Sequence, residues 1–275
     1  MPDPAELTAI RGPLDVALVQ GELRRRTSGW PQPQILSTVE STNAEVIAAA
    51  HQGAAEGLIV VAEEQTSGRG RFDRSWTSPR GAGLTLSVLL RPAPPMATWG
   101  WLPIAAGVAL LTVVRELSDV DVILKWPNDL LLGPDRGKAA GILAESDAGA
   151  VAIGIGLNVS TTTDELPTGG TSLLAHGALV SREALLVELV TSLEFWYTAW
   201  ADAAGDAEGS GLRAAYIPCC ATLGRAVTVH LPAGDVLRGT AEGIDFSGGL
   251  QVRTEDGVLT TVVAADVVHV RRPDD

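Results

Sequence analysis

The feature that most limits how this chain can fold is a change of pattern near Pro218. Before that residue, long apolar helical stretches alternate with short apolar strands, the pattern of an α/β core in which helices flank a sheet. After it, about fifty residues carry only short alternating strands joined by turns, including an Asp256-Gly257 hairpin signal. The sequence therefore predicts an α/β domain over residues 1–218 and a small β-barrel over residues 219–275.

Hydrophobic periodicity and turn residues place the individual elements. Helices are predicted at residues 14–26, 42–51, about twenty residues centred on 105–114, 183–203 and 212–216. Strands are predicted at residues 34–39, 58–62, 84–90, 121–125, 138–145, 150–157, 226–231, 236–244, 250–253 and 258–264. The Thr- and Gly-rich residues 160–177 are predicted to form a mobile loop.

Composition argues against several classes of protein. The only cysteines, Cys219 and Cys220, are adjacent, so disulfide geometry is improbable and a reducing cytoplasm is expected. The four histidines are scattered without metal-ligand spacing, which argues against a structural zinc site. The first eleven residues lack the apolar stretch of a signal peptide, and the chain has no apolar run of membrane-spanning length. The formal net charge of −13 disfavours binding to nucleic acid phosphates.

A segment rich in arginine and glycine, residues 64–76, is the first candidate site, and we call it the arginine segment. Its glycines allow close backbone approach to a ligand, its arginines suit carboxylate or phosphate, and its tryptophan could stack on a ring. Four arginines and one acid between residues 69 and 80 give +3 locally, which makes an anion site a candidate beside the alternative of a solvated loop. The candidate residues are Gln65, Gly68, Arg69, Gly70, Arg71, Arg74 and Trp76.

Lysine usage points to a second site. The chain has eighteen arginines but only two lysines, Lys125 and Lys138, which indicates a coding bias toward arginine. A lysine in such a chain marks either a position that needs a compact charge or a chance exception to the bias. Lys125 opens the sequence Lys-Trp-Pro-Asn-Asp directly after a predicted strand. Because ligands in open α/β sheets bind beyond the carboxyl ends of strands, we expect Lys125 to face whatever the arginine segment holds. A surface lysine beside a turn is the alternative.

Two glycine-containing strands supply a third set of candidates. Gly141, Gly154 and Gly156 lie inside predicted strands, where glycine marks close approach of a ligand or another backbone. Asn158 offers both a donor and an acceptor to a purine edge or an amide. The Gly-x-Gly pair lacks the third glycine and following helix of a dinucleotide fingerprint, and no Walker A pattern occurs.

The triplet Ser41-Thr42-Asn43 begins a predicted helix. Thr42, with Glu45 three residues later, matches a capping box, and capping alone accounts for Thr42. A ligand role for Ser41 and Asn43 depends on support from the other segments.

Together these motifs resemble those of the biotin protein ligase family. The matching sequences are Ser-Thr-Asn, Gly-Arg-Gly-Arg followed by Trp, Lys-Trp-Pro-Asn-Asp, Gly-Lys-x-x-Gly-Ile-Leu and Gly-x-Gly-x-Asn, in the family's order from Ser41 to Asn158. The resemblance extends more loosely over the C-terminal strands. One departure is Asp73, where family members typically have glycine.

The resemblance implies a class II synthetase-like catalytic domain with a mixed sheet and flanking helices, and an SH3-like C-terminal β-barrel. It implies that biotin and ATP, with Mg²⁺, form biotinyl-5′-adenylate, and that biotin is then passed to a lysine on the carrier domain of an acyl-CoA carboxylase. No covalent enzyme nucleophile is needed, consistent with the absence of a persuasive Ser-His or Cys-His pair in the sequence.

Roles are carried over from the family motif by motif. The catalytic candidates are Arg69, Arg71, Lys125, Lys138 and Asp129, with Asp129 assigned to orienting the acceptor lysine. The biotin-binding candidates are Ser41, Thr42, Asn43, Gln65, Gly68, Arg69, Gly70, Arg71, Lys125, Gly141 and Gly154. The nucleotide-binding candidates are Arg71, Trp76, Asn128, Lys138 and Asn158.

Some family members also carry an N-terminal DNA-binding domain. Only forty residues precede Ser41, and with the acidic charge this favours a ligase that does not bind DNA. Two other functions stay open: a lipoate or octanoate ligase of related fold, which would need a narrow apolar tunnel, and a non-catalytic biotin or nucleotide sensor.

Overall fold

The structure of the chain, a computed structural model, describes residues 4–27, 29–72, 74–231, 235–263 and 266–269. Its helices are α1 (Pro4–Ile10), α2 (Val16–Arg26), α3 (Thr42–His51), α4 (Trp101–Leu117), α5 (Arg182–Asp202) and α6 (Leu212–Tyr216). Its strands are β1 (Gln34–Leu36), β2 (Ile59–Ala62), β3 (Gly83–Leu90), β4 (Val122–Lys125), β5 (Asp129–Leu132), β6 (Gly137–Asp147), β7 (Ala150–Asn158), β8 (Ala226–His230), β9 (Val236–Ile244), β10 (Leu250–Thr254), β11 (Leu259–Val262) and β12 (Asp266–His269). Every predicted helix and strand is present within a few residues of its predicted bounds.

The sequence analysis missed α1, β5 and β12. Strand β5 begins at Asp129, the last residue of the Trp-Pro-Asn-Asp turn, and has only four residues. Turn residues dominate that stretch, so the periodicity did not separate the strand from the turn. Residues 160–177, predicted to be a mobile loop, include a short 3₁₀ turn (Leu174–His176) and are hydrogen-bonded to β6 through Lys138.

A seven-stranded mixed sheet forms the core of the larger part of the chain. Its order is β1-β2-β3-β7-β6-β5-β4, with β1 and β2 parallel and every other neighbouring pair antiparallel. Helix α3 lies between β1 and β2 in sequence and supplies the crossover that a parallel pair requires. The predicted mixed sheet with flanking helices is confirmed.

The two faces of this sheet are covered differently. In β3 the apolar residues alternate with Thr85 and Ser87, so one face joins the main core under α4 and α5. On the opposite face, α3 packs Val46 against apolar residues at one end of β2, β3 and β7. The rest of that second face carries small and polar side chains, and this part of the sheet is where the candidate site lies.

The C-terminal strands form a second, antiparallel sheet in the order β11-β10-β9-β8-β12. The sequence predicted a small β-barrel, whereas the strand pairs in the described residues form an open series. This sheet is joined to the larger one by indole hydrogen bonds of Trp101 to the Phe246 carbonyl and of Trp126 to the Gly248 carbonyl, each 3.0 Å long. Trp126, in the Lys-Trp-Pro-Asn-Asp turn, is therefore held by the C-terminal sheet.

The predicted capping box at α3 is wrong. The N-cap residue is Ser41, whose side chain makes no capping bond, and the Glu45 amide donates to the Ser41 carbonyl. Thr42 is the first helical residue, and its hydroxyl bonds to the side chain of Gln65 instead of the helix backbone. The side chain of Thr42 therefore belongs to the candidate site.

Within the described ranges, no helix has both the length and the apolar character needed to cross a membrane. Cys219 and Cys220 are unpaired and buried.

Candidate ligand and catalytic site

A cavity of about 280 Å³ lies on the open part of the large sheet, between α3 and the arginine segment. Its floor is formed by β6 and β7 at their glycines. All five sequence motifs contribute to the lining, the Ser-Thr-Asn triplet in full and the other four in part. The lining residues are Ser41, Thr42, Asn43, Gln65, Arg69, Gly70, Arg71, Phe72, Arg74, Ser75, Trp76, Thr85, Asn128, Asp129, Lys138, Gly141, Ile142, Leu143, Gly154, Ile155, Gly156 and Pro167.

One end of the cavity is lined by neutral hydroxyl and amide groups. The Gln65 side-chain oxygen accepts from the Thr42 amide at 2.8 Å and from the Thr42 hydroxyl at 3.0 Å. Ser87, fully buried on β3, donates to Asn43 Oδ1 at 2.6 Å, and its oxygen lies 2.7 Å from Thr42 Oγ1. Since buried polar groups are costly unless bonded, this network fixes each side chain and suits a neutral polar ring.

The glycines of β7 leave room for these side chains. A Cβ at Gly154 would lie 2.4 Å from Asn43 Oδ1, and a Cβ at Gly156 would lie 2.5 Å from two atoms of the Trp76 ring. Both distances are too short for non-bonded contact, so any larger residue would push one of these side chains out of place. Both glycines thus mark a close approach, made by a side chain and not by the ligand or backbone that the sequence analysis expected.

The arginine segment folds back on itself as a tight loop over the cavity. The Trp76 amide donates to the Gly68 carbonyl at 2.8 Å, and the Gly70 amide donates to the Arg74 carbonyl at 2.6 Å. A Cβ at Gly68 would lie 2.3 Å from the Trp76 carbonyl oxygen, which explains the glycine there. Arg71 donates to Asn128 Oδ1 at 3.3 Å, so the loop is tied to the end of the Lys-Trp-Pro-Asn-Asp turn.

A lysine–carboxylate pair on β5 and β6 lies opposite this loop. Lys138 Nζ lies 2.6 Å from Asp129 Oδ1 and 6.0 Å from the centre of the Trp76 ring. The Lys138 side chain is about a third exposed and lies over Gly141, whose Cβ position is 3.4 Å from Nζ. The amide and carbonyl of Lys138 are both bonded to residues 169–171, which fixes the backbone that carries this charge.

Trp76 lies against the glycines of β6 and β7, at the side of the cavity near Lys138. Its indole N–H is buried, and nothing in the described part of the chain accepts a hydrogen bond from it. A buried donor without a hydrogen-bond partner costs free energy of folding. Its presence beside a cavity is therefore typical of a ligand site.

Three predicted site residues do not line the cavity. Gly68 serves the fold of the loop, and Asn158 is buried and donates to the Thr171 carbonyl at 3.0 Å. Lys125 ends the edge strand β4, where it pairs with Asp129 of the lining but does not itself line the cavity. Burial first and then the charges of Lys125 and Arg225 lower the pKa of His269 to about 4. The expectation that Lys125 faces the arginine segment stays a prediction, and Lys138 is the lysine that lines the cavity.

The sequence analysis missed three residues in or next to the cavity. Thr85 lines its floor, and Ser87 and Glu145 are hydrogen-bonded to a lining residue, Asn43. The polar positions of β3 were visible as an alternation with leucine, and that signal could have found Thr85 and Ser87. Glu145 had no comparable signal, because an acid near the end of a strand is ordinary. Asp73, where the family has glycine, lies outside the described residues.

In chemical terms, the cavity joins a neutral polar end to a wall of positive charge. Arg69, Arg71, Arg74 and Lys138 are the lining cations that an anion in this space would meet. Among the described residues there is no group of three or more His, Cys, Asp or Glu side chains that could hold a metal ion.

The chain is similar to a known protein family, to characterised proteins and to solved structures. The biotin/lipoate A/B protein ligase family model matches residues 36–161, and the biotin protein ligase C-terminal domain model matches residues 222–270. The chain is 39% identical to the biotin–[acetyl-CoA-carboxylase] ligase of Mycobacterium tuberculosis, over 95% of this chain and 98% of that protein. It is 33% identical to the bifunctional ligase/repressor BirA of Bacillus subtilis, over 85% of this chain and 71% of that protein. A biotin protein ligase from Aquifex aeolicus, solved in complex with biotin and ATP, has the same fold, with a TM-score of 0.72 and 24% identity over 87% of this chain and 99% of that one.

Proposed function

Because the chain belongs to the biotin protein ligase family and is thus an ATP-dependent ligase, we propose that its cavity carries out both steps of protein biotinylation. In the first step biotin and ATP form biotinyl-5′-adenylate and pyrophosphate. In the second step biotin passes to a lysine of a carboxylase carrier domain and AMP leaves. The observation that carries the proposal is that one cavity combines a fixed neutral polar end with four lining cations.

The neutral end fits the ureido ring of biotin. Ser41, Thr42 and Gln65 offer hydroxyl and amide groups that match a ring carrying both N–H donors and a carbonyl acceptor. Thr42 and Gln65 are already bonded to each other, so little conformational entropy is lost when they bind a ligand. Asn43 lies over Gly154 and bounds this end of the cavity.

The cationic wall fits the adenylation step. The carboxylate of biotin attacks the α-phosphorus of ATP, a carbon–oxygen–phosphorus link forms, and the bond to the β-phosphate breaks. Since this brings two anions together, positioning and positive charge are the main catalytic contributions expected from the protein. Arg69, Arg71 and Lys138 supply that charge, whereas a role for Lys125 stays a prediction.

The nucleotide occupies the side of the cavity next to Trp76. Its ring can stack on a purine, and its unpartnered N–H is available to an acceptor on the ligand. Asn128 donates to the Ile142 carbonyl at 3.0 Å and accepts from Arg71, so it orients the arginine rather than standing free for the base. Asn158 acts indirectly, by fixing the backbone near Lys138. It donates to the Thr171 carbonyl, and the Thr171 amide donates to the Lys138 carbonyl.

In the transfer step the deprotonated amine of the carrier lysine attacks the acyl carbon, and AMP is the leaving group. Asp129 is the carboxylate of the lining, so it is the group placed to orient that amine. It is paired with Lys138 at 2.6 Å, so this role requires Lys138 to turn toward the phosphate.

Mg²⁺ is expected to enter with the nucleotide. This ion commonly keeps several waters and is held by one or two carboxylates plus substrate phosphates, where it neutralises polyphosphate charge. Asp129 is the lining carboxylate that fits such a site.

The remaining proposals concern organisation and partners. We infer a catalytic domain over residues 1–218 and an SH3-like barrel over residues 219–275, a division supported by the two separate family matches. The partner is a biotin carboxyl carrier domain, and the net charge of −13 argues against DNA as a partner of this chain. A cytoplasmic location is supported by two buried, unpaired cysteines.

The test is to incubate the protein with ATP, biotin and a carrier domain, and to measure the intact mass of the carrier. We expect the mass of one biotinyl group to be added, and only when ATP and biotin are both present. Equal or better modification with lipoate or octanoate would assign the chain to lipoate-type ligation. Binding of biotin with no modification of the carrier would assign it to sensing.

A further inference from the structure

Glu145 connects two opposite parts of the cavity. It lies on β6 beside the N-terminal end of α3. Its Oε2 accepts from Asn43 Nδ2 at 2.7 Å, and its Oε1 lies 3.3 Å from Nη2 of Arg69 in the arginine segment. One carboxylate therefore bridges the neutral end of the cavity and the cationic loop.

The contact with Asn43 is rigid, whereas the contact with Arg69 is not. Asn43 is 4% exposed, its oxygen accepts from Ser87, and its amide nitrogen also donates to the Leu143 carbonyl at 3.3 Å. Its orientation is thus fixed from both sides, and Glu145 is fixed with it. The Arg69 side chain is 53% exposed and belongs to a loop, so few other groups restrict its guanidinium.

We propose that Glu145 is a positioning residue that holds the Arg69 guanidinium over the bound biotinyl-adenylate, an inference that rests on the function proposed above. A half-exposed ion pair contributes little to fold stability, since solvent screens it. Orientation has a larger effect, because a charge-assisted hydrogen bond from Arg69 to the ligand is strong only when its geometry is right. The loss of Glu145 should therefore appear in ligand retention and leave the fold stable.

The same strand provides a matched control. Asp147, two residues further along β6, pairs with His51 at the other end of α3 at a distance of 2.9 Å. Both side chains are about half exposed, and neither lines the cavity. Asp147→Asn removes the same charge from the same strand without touching the ligand site.

The experiment measures how fast preformed biotinyl-adenylate dissociates from the protein, and does not depend on its synthesis. Glu145→Gln keeps an oxygen acceptor for Asn43 but removes the charge that faces Arg69. We expect it to release the adenylate about tenfold faster than wild type, with Asp147→Asn within about twofold of wild type and with unchanged unfolding midpoints. In a protein that already carries Arg69→Ala, Glu145→Gln should add no further loss.

Three results would overturn the proposal: release at the wild-type rate from Glu145→Gln, an equal effect of Asp147→Asn, or full additivity of Glu145→Gln with Arg69→Ala. Wild-type protein that binds preformed adenylate but fails to make it would contradict the proposed catalytic function and leave this comparison intact. Wild-type protein that does not bind adenylate would overturn both.

Discussion

The two lysines of the chain allow a direct test of which charge serves the adenylation step. Lys138 lines the cavity and Lys125 does not. Replacing Lys138 with alanine removes the charge that we propose acts on the reacting phosphate, and the loss of such a charge typically costs roughly 3–4 kcal/mol of transition-state stabilisation. At about 1.4 kcal/mol per factor of ten, adenylation should slow by between about a hundredfold and a thousandfold.

The stability of the fold should change much less. The Lys138–Asp129 pair is short, at 2.6 Å, but the lysine is about a third exposed, so the pair contributes at most about 1 kcal/mol. Pyrophosphate release measured under single-turnover conditions gives the rate, and urea denaturation gives the free energy of unfolding. Lys125→Ala, the matched control, should adenylate within a few-fold of wild type.

The reverse result would refute this reasoning. If Lys125→Ala loses adenylation while Lys138→Ala retains it, the sequence-based expectation for Lys125 is correct and the cavity needs a rearrangement that this structure does not contain. If both variants keep the wild-type rate, neither lysine acts on the reacting phosphate.

Three further predictions concern stability and partners. Trp126→Phe leaves the Gly248 carbonyl buried without its donor, so the free energy of unfolding in urea should fall by about 1–3 kcal/mol; no change would deny that this bond joins the two sheets. A hydrogen bond from Arg11 lowers the pKa of Glu165 to about 2, against 4.5 ordinarily, and burial opposes the shift. The pair therefore stabilises the fold fully above pH 4.5 and is lost as the pH falls toward 2, so the difference in melting temperature between wild type and Arg11→Ala should shrink over that range; a difference that grows toward acid would contradict it. Retention on duplex DNA at physiological salt should be negligible, and retention that weakens steeply with added salt would show a DNA-binding surface.

Much of the fold could be predicted because its signals are local. Helix α4 and strand β3 follow simple periodicities, and the change of pattern near Pro218 separated the helix-containing part from the C-terminal sheet. Elements without a clear hydrophobic periodicity were missed. Strand β5 is an example, because it consists of four residues between a turn and a glycine. Thr42 was assigned to capping because its hydroxyl's partner, Gln65, lies more than twenty residues away.

The position of the lysines could not be read from the sequence, and the reason lies in strand register. The pairing of β5 with β6 shifts by one residue, since Leu130 faces Ala140 but Leu131 faces Lys138. Such a bulge lets residues three apart share a face, which places Lys138 over Gly141 in the cavity. Lys125 lies on β4, the edge strand beyond the last strand that lines the cavity. Motifs thus identified the right segments, and the register of β6 placed Lys138 in the lining.

The most direct test of the central claim is a structure determined after the protein has been incubated with biotin and ATP. The account predicts one biotinyl-adenylate in the cavity, with the ureido ring against Thr42 and Gln65, the phosphate within reach of Lys138, and the purine beside Trp76. A ligand bound elsewhere on the chain, or biotin bound in the cavity with its carboxylate pointing away from Lys138, would contradict it.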